Sequence, residues 1–472
     1  MDRTSGFNRP LQLAALALTL ALSAPGQEPK AYDGLTFHQP PKPLSKGART
    51  ADWEFLGKDR RCRSSETRIA KTWPDGGPAL VWEMERGSGY TCPVVSDNRL
   101  VYTHRVGDEV HVDCLDAQTG KRHWRVSSPC EFQPRYVRDN GPRSSPVISE
   151  GKVYIYGVRG TLRCMDLATG KVAWARDLAK ELRTPEGFFG AVSTPIVYGN
   201  MLIQNVGAPG ACVIAFDKRT GKIAWTSGDA WGPSCASPVL GSVHGKERLF
   251  VLGGGESRPP VGGLIVLDPK NGKIDLRHPF RSRTYESVLA SSPVVGPDWV
   301  FLSSSYNVGS AVLRLDDEGG YEQVWKDRSI GLQFSNGVLV NGKIYAVDGT
   351  SDRAGAVIGI DPASGKSIFR SDLDWDEEVM FNGAKRTINM SIGEGSLLWV
   401  DDGFLCLGDN GHLLSLDVTP EGVKVVARSW LFRANQSWTP LALSRGLLYV
   451  CQNRPERFGD KAPRLLCYDL RR

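Results

Sequence analysis

The ten-residue string LDAQTGKRHW, Leu115 to Trp124, recurs along the chain, and that repetition restricts the fold to one unit copied in series. Close copies are MDLATGKVAW, ending at Trp174, and FDKRTGKIAW, ending at Trp225. Weaker ones are LDPKNGKIDL, ending at Leu276, and IDPASGKSIF, ending at Phe369. Their aspartates are Asp116, Asp166, Asp217, Asp268 and Asp361; degenerate copies fall in phase at Asp316 and Asp417, and an eighth at Asp469. Successive spacings are 50, 51, 51, 48, 45, 56 and 52 residues, which chance does not produce.

Each copy reads as strand, tight turn, strand. The Asp accepts hydrogen bonds from turn amides, while Gly120, Gly170 and Gly221 take the left-handed conformation that closes such hairpins. Trp124, Trp174 and Trp225 are apolar plates able to pack on the next unit and donate an indole N–H. A second series opens the units. Pro93, Pro146, Pro195, Pro238, Pro293 and Pro440 each follow small or polar residues and precede alternating runs such as VVSDNRLVYT, the pattern of half-buried antiparallel strands. Gly337 and Ser391 hold that place in the two units lacking the Pro. Such a unit, with four short strands, is one propeller blade. The last unit stops after its third strand, and PALVWEME, with Trp82, offers the missing strand from the other end. The expectation is an all-β, eight-bladed β-propeller of four-stranded antiparallel blades over residues 79–472, its ring closed by amino- and carboxyl-terminal strands in one blade. Seven blades is the alternative.

Arg3 and Arg9 flank the start of an apolar run, Leu11 to Leu22, followed by Ser23, Ala24 and Gly26, which reads as a signal peptide over residues 1–26. The run is too short to span a bilayer, which takes about 20 residues. No Cys follows it, so no lipid anchor is expected. The mature chain is expected to be periplasmic or secreted. Residues 27–51, with QPPKPLSKG, read as a flexible Pro/Gly-rich leader, and 52–78 as a segment packing on the ring. A net charge of +6 dispersed over 472 residues does not mark a nucleic-acid binder. The ten cysteines include no CxxC and no adjacent pair, so zinc and thioredoxin-like chemistry lack support. Cys114, Cys164 and Cys467 occupy an apolar repeat position and read as core. Cys62 and Cys130, in loop-like contexts, are the better disulfide candidates.

The Asp-x-x-Thr-Gly-Lys-x-x-Trp signature resembles the PQQ-like β-propeller repeat family, a superfamily that includes quinoprotein alcohol dehydrogenases and the BamB assembly lipoprotein. The resemblance covers roughly Ala79 to Arg472. DWEFLGKDRR, GYTCPVV, GPRSSPV and the ending LLCYDLRR look closer to exported single-propeller proteins of planctomycete type. The dehydrogenase branch implies PQQ with calcium at the ring centre, a carboxylate base and a vicinal disulfide. No adjacent cysteines and no matching Glu-Asn-Asp set occur here, so neither cofactor nor catalytic residue is assigned. The BamB branch implies a protein-docking ring.

In a propeller, the loops before the innermost strands surround one mouth of the channel. Tyr90, Arg143, Phe189, Trp231, Tyr285, Phe334 and Trp438 lie in those loops and form a candidate rim. Aromatic plates around a cation suit a sugar, a carboxylate or a flat ring, and Arg143 leads because its planar fork can clamp an anion. The other reading is that the aromatics pack between blades and Arg143 caps a turn. His111 and His123, on strands read as exposed, and nearby His104 read as surface or structural residues, with no metal. DWDEE, from Asp374, reads as a solvated acidic loop rather than a calcium site. No nucleophile elbow, P-loop or dinucleotide fingerprint occurs. The function expected is an envelope binding or interaction scaffold of BamB type, monomeric, engaging a protein or a carbohydrate-derived ligand. The alternative is a PQQ-dependent oxidoreductase acting on alcohols or sugars.

Overall fold

Seven four-stranded antiparallel sheets and one composite sheet follow one another around an axis, making eight blades. The computed structural model describes residues 34–472 except 136–138, 229–230, 286, 351–352, 382 and 458–459. The export signal read over residues 1–26 lies outside the described residues. Blade 1 runs Val94–Ser96, Arg99–Val106, Glu109–Asp116 and Arg122–Pro129 from the inside outward. Blade 8 joins the ends: Ala442–Ser444, Leu447–Cys451 and Arg464–Asp469 come from the carboxyl terminus, and Ala79–Glu85 supplies the outer strand. Trp82 pairs with Cys467 across that seam.

The repeat locks neighbouring blades through one interaction. Trp82, Trp124, Trp174 and Trp225 donate their indole N–H to the carbonyls of Ala117, Leu167, Lys218 and Pro269 in the next blade, at 2.9–3.2 Å. Their rings cover the turn glycines of that blade. A Cβ on Gly170 or Gly221 would stand 2.8 or 2.7 Å from the preceding tryptophan, and both have φ above +70°. Glycine is required there twice over, by conformation and by space. Asp116, Asp166 and Asp217 accept the amide of the Thr three residues on, at 2.8–3.1 Å. The apolar cores lie between blades; one joins Val94, Val101 and Cys114 of blade 1 to Val153, Ile155 and Met165 of blade 2.

A second lock runs along the channel wall from blade 1 to blade 6. The amide of Cys92 donates to Ser145 Oγ, Ser145 to Thr194 Oγ1, Thr194 to Ser237 Oγ, Ser237 to Ser292 Oγ and Ser292 to Asn336 Oδ1. These are the small or polar residues that open the units, so their job is blade-to-blade bonding at the inner wall.

The far face is strapped. Leu35–Phe37 adds a fifth strand outside Ala79–Glu85. Lys42 donates its amide to Asp469, Arg471 donates to Lys42 O, and Ser45 donates to Arg472 O. Residues 34–51, expected as part of a flexible leader, are thus tied to the last blade. Buried Glu66 accepts the amides of Ala51, Arg445 and Gly446. Residues 53–63 then enter the channel. Trp53 bridges Val95 of blade 1, Arg63 bridges Trp399 of blade 7, and Arg60 donates to Thr194 O, Pro195 O and Pro238 O of blades 3 and 4.

Two readings of blade 7 need correction. Its inner strand is Ser396–Val400, so Ser391 does not open it. Ser391 ends an inserted hairpin, Asp374–Phe381 with Ala384–Ser391, which accounts for the long 56-residue spacing before Asp417. DWDEE is strand, not loop. Its alternate residues Asp374, Asp376 and Glu378 face solvent, while Trp375 and Glu377 turn towards buried His412 and Arg428.

Candidate functional site

The loops entering blades 1, 2, 3, 5, 6 and 8 bring six of the seven expected rim residues into one connected belt. Phe334 meets Trp438 at 4.3 Å between ring centroids, and Trp438 stacks on Tyr90 at 5.5 Å. The Arg143 guanidinium sits between the Tyr90 and Phe189 rings, 5.5 and 5.3 Å from their centroids. Phe189 touches Phe188, and Phe188 meets Tyr285 edge-on at 5.4 Å. Two of these contacts skip a blade, from 6 to 8 and from 3 to 5. Rings on non-adjacent blades meet only by reaching over the channel, so the aromatics cover the mouth. The plug at residues 53–63 fills the other end. Trp231 stands apart from the belt and packs on the core between blades 3 and 4, beside Gly253.

Arg143 is half-buried and donates to Gly141 O, Phe189 O and Asp139 O at 3.1, 3.5 and 2.8 Å. Burial lowers its pKa, and neighbouring Asp139 and Tyr90 oppose the shift. Much of its fork is committed to its own loop and to Phe189. Burial pushes the Tyr90 phenol up to about 12, so it stays a neutral donor.

Several mouth and channel residues were not singled out from sequence. Cys235 faces Arg143, and burial raises its thiol to about 12, so it is unreactive at neutral pH. Asp409, which accepts Asn410 Nδ2 at 2.6 Å, is raised to about 6 by burial. Burial lowers Arg60 to about 9, still protonated at pH 7. Only the Pro-associated loops gave a periodic signal. The Asp409 loop joins strands two and three of its blade, and the Arg60 plug lies outside the repeat.

Of the blade 1 histidines read as exposed, His123 is exposed and His111 is not. His104 and His111 are buried. Gly87 donates its amide to His104 Nδ1, and His104 Nε2 lies 2.9 Å from Asp113, which also takes two bonds from Arg125. Burial drives His104 down to about 4. Burial alone would raise Asp113, yet the Arg125 and His104 bonds hold it well below the carboxylate range. Cys62 and Cys130 form no disulfide; all ten thiols are free, nine of them buried, Cys114, Cys164 and Cys467 among these.

A family model described as outer membrane protein assembly factor BamB matches residues 108–371. The chain belongs to this family. Among curated members of the wider group, it is 26% identical over 255 residues to quinohemoprotein alcohol dehydrogenase ADH IIB of Pseudomonas putida, covering 40% of this chain and 36% of that protein. It is 22% identical over 297 residues to the dehydrogenase subunit of the quinone alcohol dehydrogenase of Gluconacetobacter polyoxogenes, covering 56% of this chain and 39% of that one. The chain therefore spans well under half the length of these relatives. BamB from Moraxella catarrhalis superposes with a TM-score of 0.52 at 12% identity, over 83% of this chain and 98% of that one. Quinohemoprotein alcohol dehydrogenase from Comamonas testosteroni gives 0.54 at 13%, over 90% and 81%. These superpositions establish the ring and nothing finer.

Among the described residues no three His, Cys, Asp or Glu side chains converge to hold a metal, and stacked rings occupy the mouth. Nor does any described helix have the length and apolarity to cross a membrane.

Proposed function

We propose that this protein is an exported binding scaffold of BamB type, working in the cell envelope, whose docking face is the mouth bearing Tyr90, Arg143, Phe189, Tyr285, Phe334 and Trp438. One observation carries the reading: the channel is filled from both ends, by belt and plug, so the mouth offers a platform rather than a cup. Interaction platforms present aromatics and arginines at their centres, and this belt consists of both. A protein is the favoured partner, a carbohydrate-derived ligand the other.

The dehydrogenase names of the curated relatives favour a second reading, PQQ-dependent oxidation of an alcohol or sugar. One experiment separates the two. Full-length protein is mixed with PQQ and calcium, then assayed for quinone absorbance and substrate-dependent dye reduction, while the same preparation is used to capture partners from envelope extract of its own host. Capture that weakens on Arg143→Ala, with no dye reduction, supports the scaffold. Dye reduction with a 1:1 quinone complex overturns it.

A further inference from the structure

Several arginines on the blades are neutralised: Arg125 lies 2.6 Å from Asp113, Arg370 2.6 Å from Asp348, and Arg464 2.5 Å from Glu83. At the mouth, Arg135 and Arg258 are solvent-exposed, and among the described residues neither has a carboxylate within ion-pair distance or donates a side-chain hydrogen bond. They are nonetheless positioned. Arg135 Cζ lies 5.5 Å from the Phe188 centroid and Arg258 Cζ 4.4 Å from that of Tyr285, and those two rings meet edge-on at 5.4 Å. Stacking orients a guanidinium plane while leaving its N–H edge for a ligand.

The support beneath is a hydrogen-bonded knot. Arg281 donates to the carbonyls of Gly254, Gly255, Ser282, Thr284 and Tyr285, holding the Arg258 and Tyr285 loops together. Glu256 is the acidic neighbour, and its carboxylate accepts the Phe188 amide. Burial raises its pKa, with Arg135 and Arg281 opposing.

We propose that Arg135 and Arg258 form an oxyanion clamp that takes carboxylates from an acidic peptide segment of a protein partner, an inference that rests on the scaffold reading. An acidic peptide is favoured over an acidic sugar because the belt rings spend their faces on one another and on guanidiniums. A sugar needs a vacant ring face; a carboxylate needs only the guanidinium edge. The opposite face differs in kind: Lys121, Lys171, Lys222, Lys273 and Lys366 of the repeat are exposed point charges.

The test is fluorescence anisotropy of labelled hexaglutamate on the full chain at low salt. R135Q and R258Q should each weaken binding about tenfold and the double variant at least about thirtyfold, whereas K222Q and K273Q should leave it unchanged. R135K/R258K should restore only part of the affinity, because lysine keeps the charge without the stacked fork. Unchanged binding by R135Q/R258Q overturns the clamp, as does full restoration by the lysine pair, which would mean net charge alone. Arginine-dependent binding of trigalacturonate without hexaglutamate binding overturns it in favour of an acidic glycan. If R135Q/R258Q still captures the envelope proteins that wild type captures, the clamp fails and the scaffold survives; if wild type captures none, both fail.

Discussion

The two faces of this ring are made by different rules. On the turn face, one solution is repeated: an Asp-capped turn, a left-handed glycine, an exposed lysine, and a tryptophan from the preceding blade closing over the glycine. On the mouth face, the group presented changes from one blade to the next without a period. Tyr90, Arg143, Phe189, Tyr285, Phe334 and Trp438 each come from a different blade and meet across the channel. The lesson is a division of labour. Interblade packing tolerates and rewards repetition, since every seam faces the same geometry. A recognition surface needs positions that differ.

If that division holds, damage to the repeat should cost stability and leave chemistry at the mouth intact, while damage at the mouth should do the reverse. The largest effect is expected for Trp82→Ala. This fully buried ring closes the seam between the chain ends, and its loss should cost about 3–5 kcal/mol in chemical denaturation. Gly221→Val follows, at roughly 2–4 kcal/mol, because it places a branched side chain at φ +72° against Trp174. A melting temperature within a degree of wild type for either would break the comparison.

Acid should expose the buried histidine of blade 1. His104 titrates near 4 when folded against an ordinary value of 6.5, so the unfolded chain binds the proton more readily across that window. Its contribution is fully present above pH 6.5 and falls by roughly 3 kcal/mol at most as pH drops to 4. Asp409, raised to about 6, runs the other way, gaining stability as pH falls through 6 towards 3.8. Melting curves from pH 7 to 4 should therefore steepen in Asp409→Asn and flatten in His104→Gln. The smallest stability change is expected for Arg143→Ala, about 1 kcal/mol or less from the lost carbonyl bonds, with partner capture reduced. Equal losses of stability in Arg143→Ala and Trp82→Ala would erase the distinction between the faces.

How much of this was legible follows the same line. The blade count, the closing strand at Trp82 and the Trp–Gly lock announce themselves because each is periodic, and eight copies average out local noise. Ser391 misled because an insertion shifted the unit start without altering the alternating pattern after it. His111 looked exposed because strand alternation places a residue on a blade face, yet both faces of a blade are covered by neighbours. The candidate rim emerged from loop position alone, and that criterion included Trp231, whose loop turns its ring into the core.

By itself the amino-acid sequence determined what recurs: strand order, turn chemistry and a ring of eight units, since these depend on contacts within one blade and its neighbour. Only the tertiary structure decided which non-repeating side chains meet. The plug at Arg60, the tie of residues 34–51 to the last blade, the belt across the mouth and the ring-stacked Arg135 and Arg258 join segments far apart in the chain. Such contacts leave no period to read, because closing the circle, not local spacing, brings them together.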